Sequence, residues 1–331
     1  MQETGRPGIA PVAIIIPCYN YGRYIGETIK TVLSQTLKPS EIIIVDDGST
    51  DDSADVIKRH EGVQYLWKPN GGPSSARNAG LRRSSAEYVM FPDADDVLRP
   101  DGLEILWWTM QKVTPDVPAV FGRSETFADR PGDSGGFDDA SRYLPSPQDV
   151  LPYVTRRLSP ELGVLSRGVL SRLLRGNIVP QCSALIHRSV YDKVGLWDEQ
   201  FLYHQDRDMW LRIACRFPIA YVDRTVAGVR RHADNITHSK NWVRNHFEIL
   251  DLLDKAARSD WADAELRRLA RRRYAYSAYN LGQRLAEAGD YPRAVGVMAK
   301  SWKADPLRWK AAVRLAGYSL RNLAGKAAAK G

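Results

Sequence analysis

The sequence predicts an α/β protein: a mixed, mostly parallel sheet flanked by helices, with an all-helical extension at its C-terminal end. Three observations carry that expectation. Short runs with no polar residue, V-A-I-I-I at 12–16 and I-I-I-V at 42–45, read as strands buried on both faces, as parallel strands are. Strand and helix patterns alternate four times before residue 113, which calls for a parallel sheet covered by helices. From about residue 240 every apolar pattern is helical, and the composition changes with it. Residues 240–331 hold 19 Lys and Arg against 9 Asp and Glu, whereas residues 1–239 hold 28 against 30. Two domains are therefore expected, 1–239 and 240–331.

Taken in order, the strand at 12–16 ends in the loop Pro17-Cys18-Tyr19-Asn20-Tyr21-Gly22. Beyond it Ile25, Ile29, Val32 and Leu33 fall on one helical face. The strand at 42–45 runs into Asp46-Asp47-Gly48-Ser49-Thr50-Asp51, and a helix follows to about Arg59. A third strand is expected over 63–67. Asn70-Gly71-Gly72-Pro73 is a turn, with Pro73 at a first helical position. The helix it opens leads to a fourth strand, 88–91.

That fourth strand ends in Asp93, Asp95 and Asp96. Clustered carboxylates at a buried strand end repel one another and resist desolvation, so the arrangement suits a cation. Residues two apart on extended chain point the same way, which lets Asp93 and Asp95 converge. In parallel sheets ligands bind beyond the carboxyl ends of the strands. Tyr19-Asn20, Asp46-Asp47 and the 93–96 acids should meet at that edge.

A helix is expected over 101–113 and a strand near 119–122. Residues 129–148, rich in Gly, Pro, Asp and Ser, read as a flexible loop, either a lid or acceptor-binding segment or plain disorder. Further strands are expected at 177–187 and 219–222, a turn at 195–199, and an amphipathic helix after Tyr203-His204-Gln205-Asp206. Residues 276–305 read as a helix pair around a G-D-Y turn, similar to a single tetratricopeptide-type unit, which cannot stack into a solenoid alone.

Cys18, Cys182 and Cys215 are few, odd in number and far apart, which excludes a disulfide framework or a Cys-based zinc site and suits a reducing, cytoplasmic compartment. No apolar run is long enough to span a bilayer, and the N-terminus has no apolar signal region. The net charge of +8 belongs to the tail, so nucleic acid is not an expected partner of the acid-bearing part. A basic tail can meet nucleic acid, anionic lipid on the inner face of a membrane or an acidic partner protein; it also reads as a solvated helical face, or as helices that pack on the main domain or on a second subunit of a homo-oligomer.

No G-x-G-x-x-G, P-loop, G-x-S-x-G or H-E-x-x-H pattern is present. What is present is an ordered series: Pro17-Cys18-Tyr19-Asn20, Ser34-Gln35-Thr36, E-I-I-I-V-D-D-G-S-T-D at 41–51, Asn70-Gly71-Gly72, A-R-N-A-G at 76–80 and Asp93-Ala94-Asp95-Asp96. This series resembles glycosyltransferase family 2, the inverting nucleotide-sugar transferases of the GT-A (Rossmann-like) fold. The likeness is dense over 10–105 and looser over 180–236.

The resemblance implies roles. Pro17, Tyr19 and Asn20 would border the nucleoside, Asp47 would contact the base, and Arg77 the base or the diphosphate. Asp93 would lie by the ribose or sugar, and Asp95 would hold a divalent cation, Mn²⁺ or Mg²⁺. Such ions take one or two carboxylates and complete their shell from phosphates and water. Asp206 would be the base that deprotonates an acceptor hydroxyl, with Asp208 the alternative. A Gln at 205 stands where the family carries Glu. Arg230-Arg231-His232, with Asn235 after it, resembles a late R-x-H segment that turns His232 toward the metal or diphosphate. Packing or turn roles stay open for Tyr19, Asp46 and His232.

The activity implied is transfer of a sugar from a nucleoside diphosphate donor, UDP-linked by preference, to a glycan or lipid-linked acceptor. One alternative is a non-catalytic module that binds nucleotide sugars or partners through its helical tail. Another is a nucleotidyltransferase, for which P-C-Y-N-Y-G lacks the Gly- and basic-rich first loop.

Overall fold

The computed structural model describes residues 8–113, 115–128, 145–232 and 242–328. The chain divides into two compact units, residues 1–238 and 239–331. The first opens with β1 (Ile9–Cys18), α1 (Gly22–Leu33), β2 (Lys38–Asp46), α2 (Ser53–Lys58), β3 (Gln64–Trp67), α3 (Pro73–Arg83) and β4 (Tyr88–Met90). Then come β5 (Val97–Leu98), α4 (Gly102–Lys112), β6 (Ala119–Ala128), α5 (Pro147–Val150), β7 (Val154–Ser159), β8 (Leu162–Leu165) and α6 (Val169–Leu173). It closes with β9 (Ala184–His187), α7 (Val190–Val194), α8 (Gln205–Arg216) and β10 (Ala220–Arg231).

β1 shows why its run carries no polar residue. Val12, Ile14 and Ile16 join Ile25, Ile29 and Val32 of α1 and Leu103 and Leu106 of α4 in one buried cluster. Ala13 and Ile15 point to the opposite face. There α3 comes so close that a Cβ on Gly80 would stand 2.2 Å from Ile15 Cγ2. A strand covered on both faces must be apolar at every position. α3 begins as expected, with Pro73 in its first turn after Gly72 at φ +85°.

The sheet runs β3-β2-β1-β4-β9-β6-β10-β8-β7, with β5 paired to β10 off that path. Pairings are parallel through β3-β2-β1-β4 and again between β6 and β10. β9 is antiparallel to both β4 and β6. β7 and β8 form an antiparallel hairpin whose Leu162–Val164 edge pairs with Ala220–Val222 of β10.

Two sequence expectations need correction. Of the strand at 177–187 only the last four residues pair; 181–183 form a 3₁₀ turn. Pro180 has no N–H for a ladder, and Ser183 Oγ bonds the Pro180 and Gly122 carbonyls at 3.0 Å each. The strand at 219–222 and the segment 229–232 are not separate, because β10 is continuous through Arg231. The β7–β8 hairpin was not anticipated, since β7 (V-T-R-R-L-S) has no buried alternation. Most of the 129–148 loop, and Asn235, lie outside the described residues; Pro147–Val150 is one helical turn.

The second unit is α9 (Trp242–Arg258), α10 (Ala264–Glu287), α11 (Tyr291–Ala304) and α12 (Trp309–Ala328). Leu250 of α9, Leu281 and Leu285 of α10, Val297 and Met298 of α11, and Ala311 and Tyr318 of α12 share its core. Asp263 caps α10 by accepting from Leu266 N–H at 2.8 Å, and Asp290 caps α11 through Arg293 N–H at 3.2 Å. Gly289, at φ +79°, makes the G-D-Y turn between them. No helix among the described residues is long and apolar enough to cross a membrane.

Candidate active site

In the parallel register Cys18 at the end of β1 stands beside Asp46 at the end of β2. The loops after these strands are bound to each other. Asn20 adopts φ +57°, a left-handed conformation that Asn tolerates. Its side-chain oxygen accepts from Thr50 N–H (2.7 Å) and Asp51 N–H (3.3 Å). Tyr19, beside it, is 45% exposed at the rim, while Pro17 is buried within β1. Asp51 and Ser53 return the contact by accepting from the N–H groups of Gly22 and Tyr21 at the start of α1.

Asp46 and Asp47 are both buried, and each holds a turn. Asp46 accepts from Ser49 N–H (2.8 Å) and the Tyr65 hydroxyl (2.7 Å). Asp47 accepts from Gly71 N–H (3.0 Å), Gly72 N–H (2.7 Å) and Lys68 Nζ (2.5 Å). Thus Asp47 ties the loop after β3 to the end of β2.

The acid loop after β4 is fixed from three sides. Thr28 Oγ1 on α1 donates to the Ala94 and Asp96 carbonyls at 2.9 and 2.8 Å. Arg230 on β10, 4% exposed, donates through Nε to the Asp95 carbonyl (3.0 Å) and through Nη2 to Glu27 (2.5 Å). Its guanidinium also stacks on Phe127 and Tyr24, 4.7 and 5.3 Å from their centroids. Asp96 accepts from Arg230 N–H and from the Cys182 thiol. Burial first, and then the charges of Asp95 and Asp93, push its carboxyl well above the usual range. Asp96 therefore braces the loop from behind.

Asp95 Oδ2 lies 3.0 Å from His232 Nε2. The imidazole is stacked on Tyr24, with centroids 4.4 Å apart, and meets Tyr21 edge-on at 6.0 Å. Among the described residues no group of three or more His, Cys, Asp and Glu side chains is arranged to hold a metal ion. The donor set at Asp95 and His232, one carboxylate oxygen and one imidazole nitrogen, fits a divalent ion that draws its remaining ligands from phosphate and water.

Asp93 keeps 44% of its side chain exposed and accepts from Arg77 Nη2 at 2.5 Å. Desolvation pushes its carboxyl up, and Asp95 and Asp206 add to that against the pull of Arg77. Arg77 is 2% exposed, and its guanidinium lies 5.0 Å from the Trp197 ring centroid. Its Nε and Nη1 have no hydrogen-bond partner among the described residues. The next residue, Asn78, clamps the turn at 195–199. It donates to the Trp197 carbonyl and Glu199 and accepts from Trp197 N–H, all at 2.8–2.9 Å.

Asp206 lies in the first turn of α8, half-buried. Its Oδ2 accepts from Asn177 Nδ2 at 2.7 Å and its Oδ1 from Arg207 N–H at 2.6 Å. Its charge adds, after that of Asp95, to the upward push on the Asp93 carboxyl. Asp208 is 1% exposed and pairs with Arg212 at 2.7 and 2.9 Å. Arg212 in turn caps α7 through the carbonyl of Val194 (2.6 Å). Asp208 is therefore part of the packing of α8 on α7.

Sequence reasoning missed Asn177, Lys68, Trp197, Tyr24 and the Glu27–Arg230 pair. Lys68, Trp197, Tyr24 and Arg230 sit in or near quoted motifs, but nothing local names their partners. The pairings run across separations such as the 203 residues between Glu27 and Arg230, which no local pattern reveals.

The profile of the family described as Glycosyl transferase family 2 matches residues 13–194. An uncharacterized glycosyltransferase of Rickettsia conorii is 30% identical over 245 residues, which is 73% of this chain and 37% of that protein. The chain thus spans little more than a third of that relative. S. aureus TarS 1–349, solved in complex with UDP, superposes with a TM-score of 0.57 at 15% identity, covering 90% of this chain and 81% of that one. The mannosyltransferase PcManGT from Pyrobaculum calidifontis, solved with GDP-Man and Mn²⁺, gives 0.54 at 19% identity, covering 97% and 81%. At these identities the likeness is one of fold.

Proposed function

Since the chain belongs to glycosyl transferase family 2, we propose that it moves a sugar from a UDP-linked donor to a hydroxyl of a glycan or lipid-linked saccharide. Transfer is by single displacement with inversion at the anomeric carbon. The observation that carries this reading is the presence of two acid sites, one after β4 and one at the start of α8, with the charge of Asp206 acting on Asp93. Asp93 and Asp95 stand at the end of β4, and Asp206, held by Asn177 and Arg207 N–H, opens α8.

In this reading the acceptor oxygen attacks the anomeric carbon from the face opposite the diphosphate. Its proton passes to the Asp206 carboxylate as the bond to the leaving diphosphate breaks. Pro17, Tyr19, Asn20 and Asp47 frame the nucleoside. Arg77, which holds Asp93, would stand by the base or the diphosphate. Asp93 meets the ribose or sugar. Asp95, with His232 beside it, would hold Mn²⁺ or Mg²⁺, which neutralises charge on the departing diphosphate. The neighbours solved with UDP and with GDP-Man and Mn²⁺ support a nucleotide-sugar donor and a cation. Three cysteines with no disulfide suit the reducing cytoplasm.

The test is to offer UDP-, GDP- and dTDP-sugars with Mn²⁺ and identify what is released. Free UDP, with an α-linked donor giving a β-linked product by NMR, is expected. Release of sugar 1-phosphate in place of UDP would assign the chain to nucleotidyl transfer, and a retained anomeric configuration would exclude single displacement.

A further inference from the structure

The second unit carries a surface that its own fold leaves uncovered. Helix α12 presents three rows of side chains. Ala311, Leu315 and Tyr318 face the core of the unit. Trp309, Val313, Leu320 and Leu323 share a second face at helical spacing. They are 65%, 61%, 69% and 63% exposed, and Leu307, just ahead of the helix, is 89% exposed. Large apolar residues scattered singly are ordinary, but a continuous stripe marks an interaction surface.

Between the two rows stand Lys310, Arg314 and Arg321, all on one flank of the stripe. The hydrogen-bond partners of the two arginines among the described residues are uncharged. Arg314 donates to the Tyr279 and Tyr318 hydroxyls at 3.2 and 3.4 Å, and Arg321 to the Tyr291 hydroxyl at 3.5 Å. With α10 they line a groove of about 600 Å³, where Glu287 is the one carboxylate among the described lining residues. After Asp305 the sequence has six Lys and Arg and no Asp or Glu.

We propose that this face of α12 docks on an anionic lipid bilayer. The Trp309–Leu323 stripe enters the acyl boundary and the Lys310–Arg314–Arg321 row meets headgroup phosphates. An exposed Trp and aliphatic stripe flanked by unneutralised cations is the chemistry of an interfacial helix. A second copy of the chain is a poorer occupant. Two α12 helices packed stripe to stripe bring cation row toward cation row, with no Asp or Glu on either helix to match it. The proposal is independent of the transfer reading, because vesicle binding and donor turnover are measured separately.

The experiment uses the full chain in co-sedimentation with phosphatidylcholine vesicles and with vesicles that also contain phosphatidylglycerol. Binding to the phosphatidylglycerol vesicles, weakened by salt, is expected, with little binding to phosphatidylcholine alone. Val313→Ser with Leu320→Ser, at exposed positions and with an unchanged melting temperature, should weaken it about tenfold or more. Lys310→Gln with Arg321→Gln should remove most of the salt dependence. Donor turnover on a soluble acceptor should be the same in all variants. The idea is overturned if the wild-type chain stays in the supernatant with phosphatidylglycerol vesicles. It is equally overturned if the serine variant sediments like wild type, or if light scattering shows self-association that the serine variant abolishes in place of lipid binding.

Discussion

Replacing Asp206 with Asn separates proton transfer from every other demand on the cleft. The carboxylate accepts two hydrogen bonds, from Asn177 Nδ2 at 2.7 Å and Arg207 N–H at 2.6 Å. An asparagine has the same shape but one acceptor oxygen, so one of these donors loses its partner. That costs about 1–2 kcal/mol, because the position is half-buried and water can replace part of the bond. The fold survives it. The proton acceptor does not, and a positioned general base contributes about 10²–10⁴-fold, or roughly 3–5 kcal/mol of barrier. Transfer to acceptor should therefore fall by at least about a hundredfold. UDP affinity by calorimetry should stay at the wild-type value, since the donor contacts proposed above are on the loops after β1, β2 and β4. Asn177→Ala keeps the carboxylate but frees it to rotate, and should lower kcat about tenfold with KM for the donor unchanged. Two results would refute the reasoning. One is transfer by the Asp206→Asn variant within about tenfold of wild type. The other is loss of UDP affinity in step with activity, which would make Asp206 a donor-site residue.

Gly80→Ala should destabilise the first unit by about 1–3 kcal/mol, because the new methyl meets Ile15 Cγ2 at 2.2 Å and Val45 Cγ2 at 3.2 Å; an unchanged thermal melt would show that α3 does not pack this tightly on β1. Arg212→Met leaves the Asp208 carboxylate buried without its charge partner, a loss of about 3–5 kcal/mol. Asp208→Asn should be milder in urea unfolding and should keep transfer per folded molecule; if instead it folds and is inactive, the base is Asp208. Burial pushes the Cys18 thiol up to about 12 and raises Cys182 well above the thiol range. Both should resist iodoacetamide at mildly alkaline pH in the native chain, because they are thiols rather than thiolates. Peptide mapping should then find alkylation at the half-buried Cys215 first, and rapid native labelling of Cys18 would mean that the β1–β2 edge opens.

Much of the β1–β4 part was legible because its determinants are local. An unbroken apolar run can only be a strand covered on both faces, and β1 and β2 are that. Pro73 after two glycines marks a helix start, and α3 begins there. The acids of 93–96 were visible as a group, and their clustering raised the question that Thr28, Arg230 and Cys182 answer. The β9–β10 part was less legible. β9 joins the sheet against the direction of β4 and β6, and a four-residue strand of A-L-I-H has the same apolar look in either direction. Asn177 looked like the start of a strand, but its amide is held by Asp206 and the Val179 carbonyl. Side-chain pairing across 29 residues leaves no period in the sequence. Asp208 and Arg212, four apart on a helix, were readable as a pair in advance.

β4 and β5 lie only six residues apart, yet they belong to opposite parts of the sheet. β4 pairs with β1 in the parallel part, while β5 pairs with β10 beyond the antiparallel β9. The acid loop is thus the shortest covalent link across a seam. A chimera that took the β6–β10 half from a relative with another acceptor would inherit β10, and with it Arg230 and His232. It would have to keep the recipient's 91–98 segment unaltered in length. One residue more or fewer there would shift Asp93 and Asp95 against Arg230 and break a joint that both halves share. Exchange of loops within the β6–β10 half is therefore open to engineering, but the seam itself is a fixed cut line.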